Sequence, residues 1–115
     1  MGIAGNPLYG GAFGLSSQAD RTRLYTRIPD NVDILVTHGP PIGILDQPPG
    51  TLRHEGCPQL LEAVTWLEPK LHVFGHVHGA HGMVNTEATL FVNAALLGPE
   101  GDLAAPPIVL RLPKV

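Results

Sequence analysis

Cysteine and long apolar runs are scarce in this 115-residue sequence. Cys57 is the single cysteine, so the chain has no disulfide framework and we expect a reducing, cytoplasmic setting. No apolar run approaches the roughly 20 residues that a transmembrane helix needs. Residues 1–6 lack both the charged start of a signal peptide and the Ser or Thr of an acylation motif. We therefore expect no membrane as a partner.

Positive charge is too sparse for a nucleic-acid-binding surface. The chain has seven Lys and Arg residues, which are scattered along its length, and a net charge of -3. A protein that binds a nucleic-acid backbone needs a clustered basic stripe to neutralise the phosphates. The composition therefore excludes duplex DNA or RNA as an expected partner.

Charged residues of both signs are also few. They make up 15% of the chain, whereas hydrophobic residues make up 43%, and soluble domains typically contain about 25% charged residues. The length suits one domain with a modest core. This balance predicts more exposed apolar area than a soluble monomer tolerates. We expect either a homo-oligomer that covers this area or a chain that lacks part of its domain.

Strand and helix patterns alternate in the middle of the chain. Residues 32–37 form a continuous β-branched run, typical of a strand covered on both faces. Apolar residues at three- and four-residue intervals predict an amphipathic helix over Pro58–Leu67. A second apolar run, Leu71–Phe74, predicts another buried strand. Two strands of one sheet joined by a crossover helix are expected to lie parallel.

The N-terminal part of the chain gives weaker signals. The first fourteen residues are rich in glycine, and we expect them to form a loop or a short edge strand. Ser16 or Ser17 is suited to cap a helix over residues 18–28. Pro29 is expected to end this helix, because the residue before a proline disfavours helical dihedrals.

The remaining segments are a long connection and a set of short strands. Residues 39–58 are punctuated by proline and glycine, and connections of this length in compact domains are usually functional or mobile. Residues 83–85 and 89–93 flank a polar turn and predict a hairpin. Residues 108–112 alternate in polarity, which predicts a final strand.

Histidines follow both central strands. His38 comes directly after the first strand, within Thr-His-Gly-Pro-Pro, and His76 and His78 follow the second, within Gly-His-Val-His. Because the carboxyl ends of parallel strands meet at one edge of a sheet, these three imidazoles are expected to converge. A lone His-x-His pair or a lone turn histidine is commonly without function. Their combination predicts a divalent metal site.

With these motifs the chain resembles the calcineurin-like metallophosphoesterases, and within them the metallophosphoesterase-domain-containing branch. The resemblance implies an α/β fold, a four-layer sandwich with mixed β-sheets flanked by helices. It also implies hydrolysis of phosphodiesters, particularly nucleotide-type or cyclic nucleotide substrates. The stretches that carry it are residues 32–41, 71–78, 91–94 and 106–109.

The resemblance also implies a set of metal ligands. His38 and His76 would bind one ion of a dinuclear centre, and His78 would bind the other. The candidate ions are Mn, Fe, Zn and Ni. In the family pattern a hydroxide between the ions attacks phosphorus while the ions neutralise charge on the phosphoryl oxygens. No side chain of this chain is assigned a catalytic role beyond metal binding.

The motifs of the first half of the family pattern do not occur here in a matching context. That half supplies an Asp-x-His, a Gly-Asp segment and an Asn-His pair. We therefore expect residues 1–115 to be a single domain, the C-terminal portion of a metallophosphoesterase domain without its N-terminal half. Whether such a chain is an enzyme stays open at this stage. The alternatives are a mononuclear three-histidine site in an independent small domain and a catalytically silent metal- or nucleotide-binding module.

Overall fold

The computed structural model describes residues 2–3, 17–98 and 100–112 of the chain. Its elements are β1 (Gly2–Ile3), α1 (Gln18–Tyr25), β2 (Ile34–Thr37), α2 (Pro58–Leu67), β3 (Leu71–Phe74), β4 (Gly82–Asn85) and β5 (Leu90–Asn93). The strands form one sheet in the order β1-β2-β3-β5-β4; β4 pairs with β5 antiparallel, and the other neighbours pair parallel. The described part of the chain is thus a mixed α/β structure.

The predicted parallel pairing of β2 with β3 is confirmed. Leu35 lies opposite His72 in the register of these two strands, and α2 makes the connection between them. This arrangement brings the carboxyl ends of β2 and β3 to the same edge of the sheet. The residues that follow these two ends are the predicted metal ligands.

Both helices pack against one face of the sheet. Pro58 lies in the first turn of α2, where its missing N–H costs nothing, and the helix ends at Leu67, followed by Glu68 in a left-handed conformation. Burial of each large apolar side chain in this layer contributes about 1.5–3 kcal/mol. The core between helices and sheet contains Tyr25, Ile28, Leu35, Cys57, Leu60, Val64, Phe74 and Phe91.

The opposite face of the sheet is largely uncovered at β2 and β4. Ile34 is 37% exposed, Val36 is 44% exposed, and Met83 is 55% exposed. The register places these three side chains on the same face, because side chains alternate along a strand. The prediction that residues 32–37 form a strand covered on both faces was therefore wrong in two respects. The strand begins at Ile34, and one of its faces is exposed.

The N-terminal helix is confirmed but shorter than predicted. Ser17 caps it, and its Oγ accepts a hydrogen bond from the Asp20 N–H at 3.3 Å. The helix ends at Tyr25, whereas Ile28 lies beyond it and is still buried. Pro29 disfavours helical dihedrals at Ile28, which limits the helix on this side, but the helix already ends three residues earlier. Neither described helix has both the length and the apolarity needed to cross a bilayer.

The predicted hairpin is confirmed and the predicted last strand is wrong. Gly82–Asn85 and Leu90–Asn93 pair antiparallel around the expected turn. Residues 108–112 form no strand in the described chain, and Val109 is 90% exposed. Alternating polarity produces a strand only where a neighbouring strand supplies hydrogen bonds. The predicted edge strand is present as β1, whereas residues 4–14 and Ser16 lie outside the described residues.

Candidate metal centre

His38 is the first residue after β2, and its backbone is held from two sides. Its carbonyl oxygen accepts a hydrogen bond from the Gly75 N–H at 3.0 Å, which joins the ends of β2 and β3. Further along, the Cys57 N–H donates to the Pro40 carbonyl at 3.0 Å. Pro40 also has a fixed φ. The half-buried imidazole of His38 therefore projects from a well-defined turn.

His76 lies at the centre of a strained turn. Its φ is +69°, a region that L-residues other than glycine seldom occupy. The Val77 N–H donates to the Gly75 carbonyl at 2.8 Å, two residues back. This is the hydrogen bond of a γ-turn with positive φ at its central residue, a rare and strained conformation. Strain of this kind costs about 1–3 kcal/mol and concentrates at functional sites.

The rings of His38 and His76 are in direct contact. His38 Nε2 lies 2.8 Å from His76 Nδ1, and the ring centroids are 4.6 Å apart with an interplanar angle of 56°. At this distance one nitrogen carries a hydrogen and the other accepts it through its lone pair. The sequence prediction that the two strand ends bring these histidines together agrees with this geometry.

The surroundings of His76 favour its neutral form. Burial lowers the pKa of its imidazole below the ordinary value, and the nearby His38 and His78 lower it further. The carboxylate of Glu55 acts in the opposite direction. A neutral imidazole is the form that binds a metal ion, because the lone pair must be free.

His78 has a looser relation to the other two histidines. Its side chain is exposed, yet it lies near enough to His76 to affect that residue electrostatically. Across residues 17–98 and 100–112, no three His, Cys, Asp or Glu side chains are arranged as a ready-made metal cage. The structure thus brings two of the three predicted ligands into contact and leaves the third beside them.

Comparison with known proteins shows what the chain is related to. It is 40% identical over 116 residues to metallophosphoesterase domain-containing protein 1 of Homo sapiens, covering 96% of the chain and 36% of that protein. The same protein of Mus musculus gives the same values. UPF0046 protein K07C11.7 of Caenorhabditis elegans is 36% identical over 114 residues, covering 99% of the chain and 39% of that protein. No family model matches.

This chain is a relative of the metallophosphoesterase domain-containing proteins. The relation extends along nearly the whole chain, which includes both histidine motifs. The chain spans just over a third of the length of these relatives. The activity of the longer proteins therefore does not transfer directly to it.

The metal implied by the relatives' name can be tested against the histidines. Imidazole nitrogens are suitable donors for Zn, Fe or Ni. The hydrogen shared between the two facing nitrogens would have to move to a ring's other nitrogen, so that both lone pairs face the ion. Two nitrogens that share one zinc ion, at bonds of about 2.0–2.1 Å, stand roughly 3.3 Å apart. The observed 2.8 Å between His38 Nε2 and His76 Nδ1 would need to open by only about half an ångström. The pair fits as part of a metal site, although it does not complete one.

Asn93 contributes to this edge of the sheet and was not predicted to do so. It ends β5 opposite Phe74 and is completely buried. Its side-chain amide donates to the Leu45 carbonyl at 3.0 Å and to the Val77 carbonyl at 3.4 Å. It therefore joins the long connection after β2 to the histidine loop. Its position at the end of a parallel strand was the signal that could have indicated this role.

Asp46 and His54 form a second polar group that the sequence did not reveal. Asp46 is 2% exposed, and its carboxylate accepts hydrogen bonds from the Gly43 N–H at 2.9 Å and the Gly56 N–H at 3.0 Å. Its other oxygen lies 2.8 Å from His54 Nδ1. These contacts close the long connection into a compact loop. No local pattern signals them, because the partners are separated by up to ten residues.

Proposed function

We propose that this chain carries part of the metal-binding site of a metal-dependent phosphoesterase. The observation that carries the proposal is the 2.8 Å contact between His38 Nε2 and His76 Nδ1 at one edge of the sheet. The strained turn at His76 adds support, since strain persists where the surrounding structure enforces it. The name of the related proteins supplies the reaction class.

In this proposal each histidine has a defined task. His38 and His76 hold one divalent ion, and the exposed His78 is available to a second ion or to the substrate phosphate. When bound, such ions supply an activated water and neutralise charge on phosphoryl oxygens. The hydrogen bond from Gly75 to the His38 carbonyl keeps the two strand ends in register while the site is loaded.

We further propose that residues 1–115 form the C-terminal portion of a four-layer metallophosphoesterase sandwich. The uncovered sheet face at Ile34, Val36 and Met83 supports this, because a second sheet packs at about 10 Å over a face of this kind. A second sheet would also be the source of further ligands. Carboxylates are the expected type, since paired cations repel each other unless an anion lies between them.

The proposed substrates are phosphodiesters of the nucleotide or cyclic nucleotide type. The resemblance of the two histidine motifs suggests this class. The small number of basic side chains argues for a compact ligand over a polymeric nucleic acid. The exposed His78 beside the half-buried pair gives such a ligand a point of access.

A second candidate is a catalytically silent metal- or nucleotide-binding module. The observation that favours it is the absence, within the described residues, of a group of three metal ligands. Two imidazoles alone hold an ion weakly and position no attacking water. Such a module would bind a metal ion or a nucleotide without turnover.

Hydrolysis of a nitrophenyl phosphodiester with added Mn²⁺ separates the two candidates. The enzyme proposal predicts Mn-dependent turnover that falls by a factor of about 100 or more in His76→Ala, because a metal ligand is lost. His54→Ala is the matched control, since it removes an imidazole that contacts Asp46 and not the His38–His76 pair. Equal turnover in His76→Ala would reject the enzyme proposal. Metal binding without turnover would support the silent module.

A further inference from the structure

His72 is a fully buried histidine that the proposed metal site does not use. Its side chain is 0% exposed in the middle of β3. The ring is flanked by Phe74 and Phe91, with centroids at 5.1 Å and 5.7 Å. Its Nε2 lies 2.9 Å from the Thr37 hydroxyl oxygen. An imidazole in this apolar layer requires an explanation, because buried polar groups are costly.

The direction of the hydrogen bonds follows from the donors and acceptors present. The Thr37 hydroxyl lies 2.7 Å from the Gly39 carbonyl oxygen, which can only accept, so the hydroxyl donates there. The same oxygen must then accept from His72, which places the hydrogen of the neutral ring on Nε2. The ring's Nδ1 is left as a bare acceptor, and it has no partner within the described structure.

The buried imidazole of His72 does not increase the stability of the fold. A buried acceptor without a hydrogen bond has lost its hydration and gains nothing in exchange. Replacing both partners of such a pair by apolar groups of similar shape is often neutral or stabilising. Leucine would fill the place of His72 without an unsatisfied atom. The imidazole therefore has to be explained by something other than packing.

The hydrogen bonds run from His72 to Thr37 and from Thr37 to Gly39, so they reach the residues on either side of His38. Thr37 precedes that residue, and Gly39 follows it. We propose that His72 is a positioning residue for the metal site, which acts through the Thr37 hydroxyl to fix the turn that presents the His38 imidazole to His76. This inference rests on the proposed function, because the metal site is the reason for positioning His38. The positioning itself is already present in the metal-free chain.

The chain of contacts explains why a polar core residue is retained. Thr37 is 4% exposed, so its hydroxyl has no solvent to replace the bond from His72. Without that bond the Thr37 side chain keeps the bond to the Gly39 carbonyl and loses the second contact that fixes its orientation. The turn would then gain freedom at the position where His38 must meet His76 within 2.8 Å. A displacement of the His38 imidazole by a few tenths of an ångström would already weaken metal binding.

The test compares His72→Leu, Thr37→Val and the double variant by zinc titration and by denaturation. We expect zinc binding to weaken about tenfold or more in each variant, as for loss of an outer partner of a metal ligand. We expect the stability of His72→Leu to be equal to that of the wild type or higher. The double variant should bind zinc no more weakly than either single variant, since both changes break the same series of hydrogen bonds. His72→Gln, which can still donate to Thr37, should restore zinc affinity.

NMR of the metal-free imidazoles supplies a readout that does not depend on zinc. We expect the hydrogen bond between His38 and His76 to be present in the wild type and in His72→Gln, and lost in His72→Leu. Unchanged His38 and His76 signals in a folded His72→Leu would overturn the positioning role, whether or not zinc binds. A wild-type chain that shows the His38–His76 bond but binds no zinc would instead reject the proposed function. If His72→Leu fails to fold, Thr37→Val gives the same comparison.

Discussion

The protonation of single histidines has consequences for stability. Burial lowers the pKa of His72 from its ordinary value of 6.5 to about 3. The unfolded chain therefore binds a proton at this residue below about pH 6.5, whereas the folded chain does not until the pH approaches 3. The stability associated with the neutral ring is complete above pH 6.5 and is lost as the pH falls.

We predict that this loss is measurable between pH 7.5 and pH 5. With 1.36 kcal/mol per pKa unit, His72 alone should lower the free energy of unfolding by about 2 kcal/mol at pH 5. Urea denaturation at a series of pH values measures it, and His72→Leu is the reference because every other histidine is retained. A difference between the two proteins that does not change with pH would contradict the buried neutral state.

The turn at His76 marks the limit of sequence prediction at the residue scale. The meeting of His38 with His76 could be predicted, because it needs only two parallel strands and the residues that follow them. The positive φ of His76 could not be predicted, since nothing in the residue type signals it. The hydrogen bonds of Asp46 were equally hidden, because they form only when the loop closes.

Among the elements of the fold, the connection between β2 and α2 depends on one buried carboxylate. Asp46 satisfies the N–H groups of Gly43 and Gly56 and also contacts His54. We predict that Asp46→Ala lowers the free energy of unfolding by about 1–3 kcal/mol, chiefly because the buried Gly56 N–H loses its acceptor, while the more exposed Gly43 N–H can turn to water. Amide hydrogen exchange should rise across residues 43–56.

Two further variants locate this effect. Asp46→Asn keeps one acceptor oxygen, so its free energy of unfolding should lie between those of the wild type and Asp46→Ala. His54→Ala should cost less than about 1 kcal/mol, because its side chain is 46% exposed and only one contact is lost. Equal exchange rates for the loop in Asp46→Ala and the wild type would show that the carboxylate does not hold the loop closed.

Elements with a local signal were predicted well, and those that need a distant partner were not. The helix Pro58–Leu67 was predicted to its end residues, because proline at the start and the apolar periodicity are both encoded in the segment. Residues 108–112 have the alternation of a strand but find no partner in the described chain. The exposed face at Ile34 was missed for the same reason, since coverage of a strand depends on what packs over it.

For the molecule as a whole, the uncovered face of the sheet predicts self-association. On that face Ile34 and Val36 of β2 and Met83 of β4 are exposed, whereas Leu71 and Val92 between them are buried. We propose that the isolated 115-residue chain associates through it, because burying apolar area yields roughly 25 cal/mol per Å². Light scattering across a concentration series should show dimers or larger species. Val36→Lys should shift this equilibrium toward the monomer.

The control for this experiment lies on the other side of the molecule. Trp66 is 84% exposed on α2, so Trp66→Ser removes an exposed apolar side chain without changing the sheet face. It should leave the association unchanged. A chain that is monomeric at every concentration, or one that responds to Trp66→Ser and not to Val36→Lys, would contradict this use of the face.

The central claim is that the ends of two parallel strands share a cation between His38 and His76. Isothermal titration of Zn²⁺ into the wild type, His38→Ala, His76→Ala and the double variant tests it most directly. We predict one ion bound per chain at this site, with affinity at least tenfold weaker in each single variant and binding at this site lost in the double variant. Undiminished zinc binding by the double variant would contradict the claim.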